Sequence, residues 1–344
     1  MKNLAVQFTA PHKVTVLEEP LPSLSHHQVL VQTIVSAVSP GTELLVYRGE
    51  WPEQLAVDET IPSLKKGFHY PLKYGYATVG RVISVGSDVT PDWLGRTVFS
   101  FHPHESRFMV DIEQLVPVPE TLSPEEASFL PNMETAVSLV MDGRPLIGEY
   151  VVVFGQGVVG LLTTSLLRRF PLASLIALDK YPLRRETSLD CGARVVLDPT
   201  DPGTVDAMNS LLESATLSGG ADLIYEISGN PQALDQAIAF AGFGARIVVG
   251  SWYGSKRANV DLGGRFHRNR IHIVSSQVSR LAPDLTGLWD KSRRLGLAMS
   301  LLEDTRPARL VTHRIPIRQA AEAYRILDQH PDRAVQILLT YEDD

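Results

Sequence analysis

The 344-residue chain carries 32 Lys and Arg against 39 Asp and Glu, a formal charge of −7, with 44% hydrophobic and 21% charged residues. This is the composition of a folded globular protein, and the length exceeds what one hydrophobic core usually serves, so two domains are expected. The acidic balance gives no reason to expect nucleic-acid binding, and the single cysteine, Cys191, excludes an internal disulfide and any thiolate cluster for zinc or iron–sulfur.

The amino terminus, MKNLAVQFTAPHKVTVLEEP, lacks the continuous apolar core and cleavage site of a signal peptide and alternates as strands do. A cytoplasmic protein is expected. Up to about Pro119 the runs VTVLEE, QVLVQTIVSAVS, ATVGRVISVG, RTVFSF and SRFMVDIEQLVPVP follow one another with Pro and Gly between them. Period-two alternation with close turns predicts an antiparallel β domain of barrel type. His102 and His104 in FHPHES have one spacer, which on a strand points both to one face, with Glu105 next to them. No third ligand is evident, so a solvated or pocket-rim pair is expected rather than a metal site.

Helical periodicity begins at Ser123, where Ser123, Pro124 and Glu126 form a capping-box arrangement ahead of SFLPNMETAVSLVMDG. Apolar strands then alternate with helices through YVVVFG, SLIALD, RVVLD, ADLIYEIS, ARIVVGSW and IHIVSSQ. This pattern predicts a parallel sheet covered on both faces. Tyr150 to Leu167 is uncharged and about long enough to cross a bilayer, but three glycines and Gln156 interrupt it. A buried strand, a turn and a helix start are the better parse, with no membrane insertion. The tail from Ala282 holds amphipathic helical pieces and a last strand, AVQILLTY, expected to return to the first domain. The expected fold class is α/β, with residues 1–125 completed by 282–344 as one domain and 126–281 as a dinucleotide-binding domain.

The strongest local signal is VVVFGQGVVGLL, which spaces Gly155, Gly157 and Gly160 as G-x-G-x-x-G between a strand and a helix. The first glycine makes the turn, the second admits a pyrophosphate, the third lets helix pack on strand, and the helix N-terminus favours the anion. Gln156, Val158 and Val159 fill the positions between and after them. The next strand ends in Asp179, near the roughly 20-residue interval at which an acid binds the adenosine ribose. An acid there favours NAD. Lys180, Arg184 and Arg185 just beyond it keep NADP open, although the arginines also read as a solvated helix start. Ser228 and Gly229 in EISGN, Gly250 and Ser251 in VVGSWYG, and Ser275 and Ser276 in IVSSQ follow parallel strands, where doubly wound sheets bind ligand. Cys191 reads as a small buried thiol.

A barrel-like first domain, a central dinucleotide domain and a returning tail resemble the medium-chain dehydrogenase/reductase family over essentially the whole chain. The resemblance implies a GroES-like β-barrel domain beside a Rossmann doubly wound sheet. In zinc members of that family the ligands come from stretches matching VSPGTELL, YGYATVG and LPNMETAVS. Ser39 or Pro40 takes the cysteine position, Tyr76 the histidine position, Ala77 that of the glutamate, and Pro131 or Asn132 that of the third ligand. These residue types do not assemble the usual nitrogen-and-sulfur zinc site. The combination SPGTE, PHESRFMV and NMETA resembles the zinc-less group around bacteriochlorophyllide dehydrogenase, which oxidises a hydroxyethyl side chain of a tetrapyrrole to an acetyl.

That resemblance implies a zinc-independent, NAD(P)-dependent oxidoreductase passing hydride between nicotinamide and a conjugated alcohol or ketone held between the domains. A quinone or enone reductase and a non-catalytic dinucleotide-binding redox sensor are the alternatives. Thr42, Tyr76 and Glu134 are the candidate catalytic residues, and Thr135 matches a position beside the nicotinamide. A tyrosine such as Tyr76 is more often packed with its hydroxyl satisfied. Glu134 equally reads as an acid complementing a helix N-terminus. A homodimer is expected through the apolar edge strand IHIVSSQV, with a small-molecule substrate and neither nucleic acid nor membrane as partner.

Overall fold

The computed structural model describes residues 2–52, 67–213, 216 and 219–341. The chain divides into two compact units, one of residues up to Pro131 with those from Met299 onward, the other Asn132–Ala298.

The first unit opens with the antiparallel hairpin β1 (Lys2–Ala10) and β2 (Lys13–Pro20), Val6 opposite Val16. β3 (Gln28–Val38) follows, then α1 (Pro40–Arg48), which starts on a proline in its first turn and stops at Gly49 in the left-handed region, φ 72°. β4 (Thr78–Val85), β5 (Thr97–Ser100), β6 (Arg107–Asp111) and β7 (Leu115–Pro117) extend the sheet. β3 organises it. β4 runs along one edge of β3, while β6 pairs with its first half, Gln28–Gln32. Alternate residues of these strands, among them Val29, Val31, Val82, Val98 and Phe108, turn into one fully buried cluster, which is what the period-two pattern predicts.

The capping box forms as expected: Ser123 Oγ accepts from the Glu126 N–H, and the Ser123 N–H donates to Glu126 Oε2. The helix it starts is short, α2 (Pro124–Ala127), and a separate α3 (Leu130–Gly143) follows. Pro131 falls in the first turn of α3, where its missing N–H costs nothing; inside one continuous helix it would clash with the preceding turn.

The second unit alternates β8 (Tyr150–Phe154), α4 (Val158–Leu167), β9 (Ser174–Leu178), α5 (Pro182–Asp190), β10 (Val195–Leu197) and α6 (Thr204–Glu213). It continues with β11 (Ala221–Glu226), α7 (Gln232–Phe240), β12 (Ala241–Val249), α8 (Arg265–Arg268), β13 (His272–Ser275) and the start of α9 (Lys291–Thr305). All neighbouring pairs are parallel, in the order β10-β9-β8-β11-β12-β13. Val151, Val152 and Val153 are each fully buried although they point alternately to opposite faces, as a sheet covered on both sides requires. Each contributes on the order of 1.5–3 kcal/mol by leaving water. The order reverses between β8 and β11, so the loops after these two strands diverge and leave a crevice at their carboxyl ends. The uncharged stretch Tyr150–Leu167 resolves into β8, the glycine turn and α4, and no described helix is long and apolar enough to cross a membrane.

The tail re-enters the first unit through β14 (Val311–Pro316), α10 (Ala320–Gln329) and β15 (Gln336–Thr340). β15 pairs antiparallel with the second half of β3, Leu338 opposite Ala37, and parallel with β14. The last strand therefore completes the sheet of the first unit, as its apolar run predicts.

Candidate functional site

At the crevice of the second unit, Gly155 has φ +90°, and a Cβ there would lie 2.5 Å from Ser228 Cα. Only glycine fits this turn. A Cβ on Gly160 would lie 2.0 Å from the Gly155 carbonyl oxygen, so the third glycine is what lets α4 sit on the turn. Gly157, the residue before α4, is different: among the described residues, its chain neighbours aside, the nearest atom to its missing Cβ is Arg184 Nη1, at 4.0 Å. The backbone there is open to a ligand, and the helix N–H groups of Val158, Val159 and Gly160 follow it. This is a cradle that fits a dinucleotide pyrophosphate. Gln156 contributes its backbone alone, because its side chain turns into the core, accepting from Thr164 Oγ1 and lying 3.4 Å from the Val153 carbonyl.

Asp179 stands at the end of β9, 6% exposed. Its Oδ2 accepts from the Gln156 N–H at 2.8 Å and its Oδ1 from the Tyr181 N–H at 2.9 Å. Each oxygen keeps a lone pair, so the carboxylate fixes the glycine turn and still has capacity for ribose hydroxyls. Lys180 and Arg184 both lie over the Tyr181 ring, 4.8 and 4.9 Å from its centroid. Arg185 belongs to the scaffold instead, donating to the Asp179 carbonyl and to Asp198 Oδ2.

The serines after the parallel strands gather round a residue that sequence reading missed. Glu226, the last residue of β11, is fully buried and accepts from the Ser228 N–H, the Ser228 hydroxyl and the Tyr253 phenol. Burial, then the Glu226 carboxylate, push the Tyr253 phenol well above its ordinary range. Ser251 Oγ accepts from the Gly229 N–H at 2.8 Å, tying the loops after β11 and β12 together. Gly250 has Leu139 Cδ2 2.5 Å from its missing Cβ, so α3 packs directly on the strand end. The Ser276 N–H continues the β12 pairing by donating to the Val249 carbonyl. Burial pushes the Asp142 carboxyl up, outweighing the lowering influence of the Ser276 hydroxyl.

Glu134, a candidate proton acceptor in the sequence, is engaged in a buried ion pair. Its Oε1 accepts from Arg294 Nη2 at 2.9 Å and Nε at 3.2 Å, the two side chains being 3% and 1% exposed. Arg294 also donates to the Val278 carbonyl. This pair anchors the first turns of α3, one residue before half-buried Thr135. Nothing local in KSRRLG marks Arg294, because its partner lies 160 positions away.

In the first unit the stretches VSPGTE and YGYATVG come together. Ser39 precedes α1, Thr42 lies in its first turn, and the Tyr76 phenol is 2.6 Å from Thr42 Oγ1 while donating to Ser39 Oγ. Ser39 Oγ and Thr42 Oγ1 are 3.2 Å apart, closing a triangle of three hydroxyls. Tyr76 and Thr42 are half-buried, whereas Ala77 is buried at 3%. Pro131 and Asn132 are buried in α3. Hydroxyls, a methyl and an amide are poor ligands for zinc, so the residues at these positions do not fit that metal. Among the described residues, no group of three His, Cys, Asp or Glu is placed to hold a metal ion.

The expectation of a solvated or rim-lying histidine pair is corrected by the structure. His104 is fully buried, bonded through Nε2 to Glu43 Oε2 and through Nδ1 to Ser36 Oγ. His102 stacks on Phe108 with ring centroids 4.0 Å apart and lies 3.8 Å from Glu105. The segment carrying both is irregular rather than a strand, so alternation did not apply. Cys191 is buried at the end of α5, as a small core thiol should be.

Comparison with known proteins bears on the fold and on the class of reaction. The model of the zinc-binding dehydrogenase family matches residues 158–293. The chain is 26% identical over 369 aligned positions to D-guloside 3-dehydrogenase of Escherichia coli (strain K12), covering 99% of this chain and 100% of that protein. Among solved structures it resembles an alcohol dehydrogenase from E. coli CFT073 complexed with NADH, with TM-score 0.78, 18% identity and coverage of 98% and 99%. It equally resembles a protein from Sinorhizobium meliloti 1021, assigned as a zinc-binding dehydrogenase and bound to NADP, with TM-score 0.78, 18% identity and 99% of each chain covered. The fold is that of the alcohol dehydrogenases with a GroES-like and a Rossmann domain.

Proposed function

We propose that this chain, whose matches support a place in the medium-chain dehydrogenase/reductase superfamily at the level of a nicotinamide-dependent oxidoreductase, catalyses its reaction without zinc. The substrate we assign is an alcohol or ketone conjugated to a π system. The observation that carries the reading is the triangle of Ser39, Thr42 and Tyr76 hydroxyls, with Ala77 beside it, where zinc members place metal ligands. A bound nicotinamide supplies the hydride donor or acceptor. The chain supplies a partly exposed phenol whose hydrogen bonds to Thr42 and Ser39 orient it toward a substrate oxygen and give its proton a route to and from that oxygen.

Hydroxyl donors polarise a carbonyl less than a metal does, which favours substrates that spread charge into conjugation. A relative named for oxidation of a guloside at its 3-position supports an alcohol or ketone over a quinone. Asp179, with Arg184 4.0 Å away, supports NAD over NADP through its capacity for ribose hydroxyls. Glu134 acts in this reading through the pair with Arg294 that anchors Thr135. The β13 edge, where Ile273 is 40% exposed, supports a homodimer.

The test is single-turnover oxidation of bound NADH by acetophenone, 2,3-butanedione, 2-cyclohexenone and menadione, followed by stopped-flow. Acceleration by the ketones is expected. Preference for menadione, or reduction of the alkene of 2-cyclohexenone rather than its carbonyl, would move the assignment to a quinone or enone reductase, and no acceleration by any acceptor would overturn the enzyme reading.

A further inference from the structure

The interior of the first unit holds a connected row of polar side chains that the reaction above leaves unused. The Tyr341 phenol and Ser36 Oγ are 2.7 Å apart, Ser36 Oγ and His104 Nδ1 2.7 Å, and His104 Nε2 and Glu43 Oε2 3.0 Å. Tyr324 donates its phenol to the same Glu43 oxygen at 2.6 Å, and Glu43 Oε1 accepts the Ser39 N–H at 2.8 Å. Ser36, Glu43, His104 and Tyr324 are all 0% exposed. Removing a carboxylate and an imidazole from water carries a desolvation cost that apolar residues of similar size avoid, so such a network is weak evidence for stability. What it holds is the better explanation.

The row ends on the two segments that carry the hydroxyl triangle. Glu43 follows Thr42 directly and fixes the backbone of Ser39. The His104 ring lies against Gly75, the residue before Tyr76. A Cβ on Gly75 would come within 2.7 Å of the ring, and its φ of +126° also demands glycine. The histidine–glutamate pair thus meets the backbone of both segments that carry the triangle, at Ser39 and at Gly75. We propose that Glu43 and His104 are positioning residues that set the aim of the Tyr76 phenol, an assignment that rests on the hydroxyl-cluster reading of the reaction. A site that relies on one phenol in place of a metal needs that phenol held closely, because a misplacement of about 1 Å can cost on the order of a hundredfold in rate.

The experiment is a double-mutant cycle of His104→Gln with Tyr76→Phe, read as the hydride-transfer rate constant at saturating acceptor, using the fastest acceptor of the panel above. NADH affinity is titrated in parallel as a control on folding. Positioning through Tyr76 predicts that His104→Gln slows transfer by about ten- to a hundredfold when Tyr76 is present, and by under about threefold when it is Phe. NADH affinity is expected to stay constant throughout. If Tyr76→Phe slows the reaction and His104→Gln slows both backgrounds equally, the positioning assignment is overturned while the hydroxyl-cluster reading stands. If Tyr76→Phe leaves the rate unchanged, or no acceptor reacts, both fall. Should His104→Gln fail to fold, Ser36→Ala keeps the ring and removes its Nδ1 partner, and enters the same cycle with the same expected coupling.

Discussion

Arg294→Ala tests most sharply how the second unit is held together. The substitution leaves the Glu134 carboxylate, 3% exposed, without its cation and removes a donor from the Val278 carbonyl. Removing one partner of a buried ion pair costs about 3–5 kcal/mol, and a lost hydrogen bond about 1 kcal/mol more. For a domain of this size each kcal/mol lowers the melting temperature by about 2–4 °C, so a fall of roughly 8–24 °C is expected by calorimetry or circular dichroism. The second half of the test is Glu134→Leu combined with Arg294→Met, which removes both charges and keeps the volume. Because the cost comes from an unpaired charge rather than from lost attraction, the double variant should recover most of the stability. A single variant within about 1 kcal/mol of the parent would refute the energetics, as would a double variant no more stable than the single one. A double variant that folds, binds NADH and has lost all turnover would return Glu134 to a direct catalytic role.

Three further outcomes follow from the geometry. Asp179→Ser should weaken NADH by about 1–3 kcal/mol in fluorescence titration, toward the upper end because the Gln156 and Tyr181 N–H groups lose their acceptor; stronger NADPH than NADH binding by the parent would contradict the NAD assignment. Burial alone would raise the Glu105 carboxyl, but His102, Lys73 and Asn3 hold it below its ordinary value. The stabilisation this confers is present above the unfolded-state value and lost as pH falls through the lowered folded one. Glu105→Gln should therefore destabilise at neutral pH and converge on the parent as pH falls below the ordinary carboxylate range in denaturant titrations; a cost independent of pH would refute it. Light scattering at micromolar concentration should give a dimer that Ile273→Pro disrupts, whereas a monomer, or a dimer indifferent to the proline, would remove the β13 edge from the account.

The parts of the fold that could be read in sequence are those encoded locally. The apolar runs of β8, β9 and β11 are continuous because both sheet faces are covered, and part of the glycine spacing follows from local contacts, such as Gly160 on the Gly155 carbonyl. Asp179 was visible for the same reason, as a fixed distance from one strand to the next. Pairings across long separations left no local trace. Arg294 meets Glu134 across 160 positions and Tyr324 meets Glu43 across 281. Glu226 reads as an ordinary strand-end acid until Tyr253 and Ser228 are seen on it. Gln156 sits in a ligand motif yet turns inward, because the Thr164 hydroxyl one helical face away satisfies its amide. The histidines of FHPHES misled because alternation presupposes a strand, and the chain there bends out of one.

The central claim is hydride transfer without a metal, and it is tested most directly by measuring zinc content and NADH oxidation on one purified sample treated with a chelator. The account predicts far less than one zinc per chain and a single-turnover rate unchanged by the chelator. About one zinc per chain, with transfer abolished on its removal and restored on its return, would contradict it.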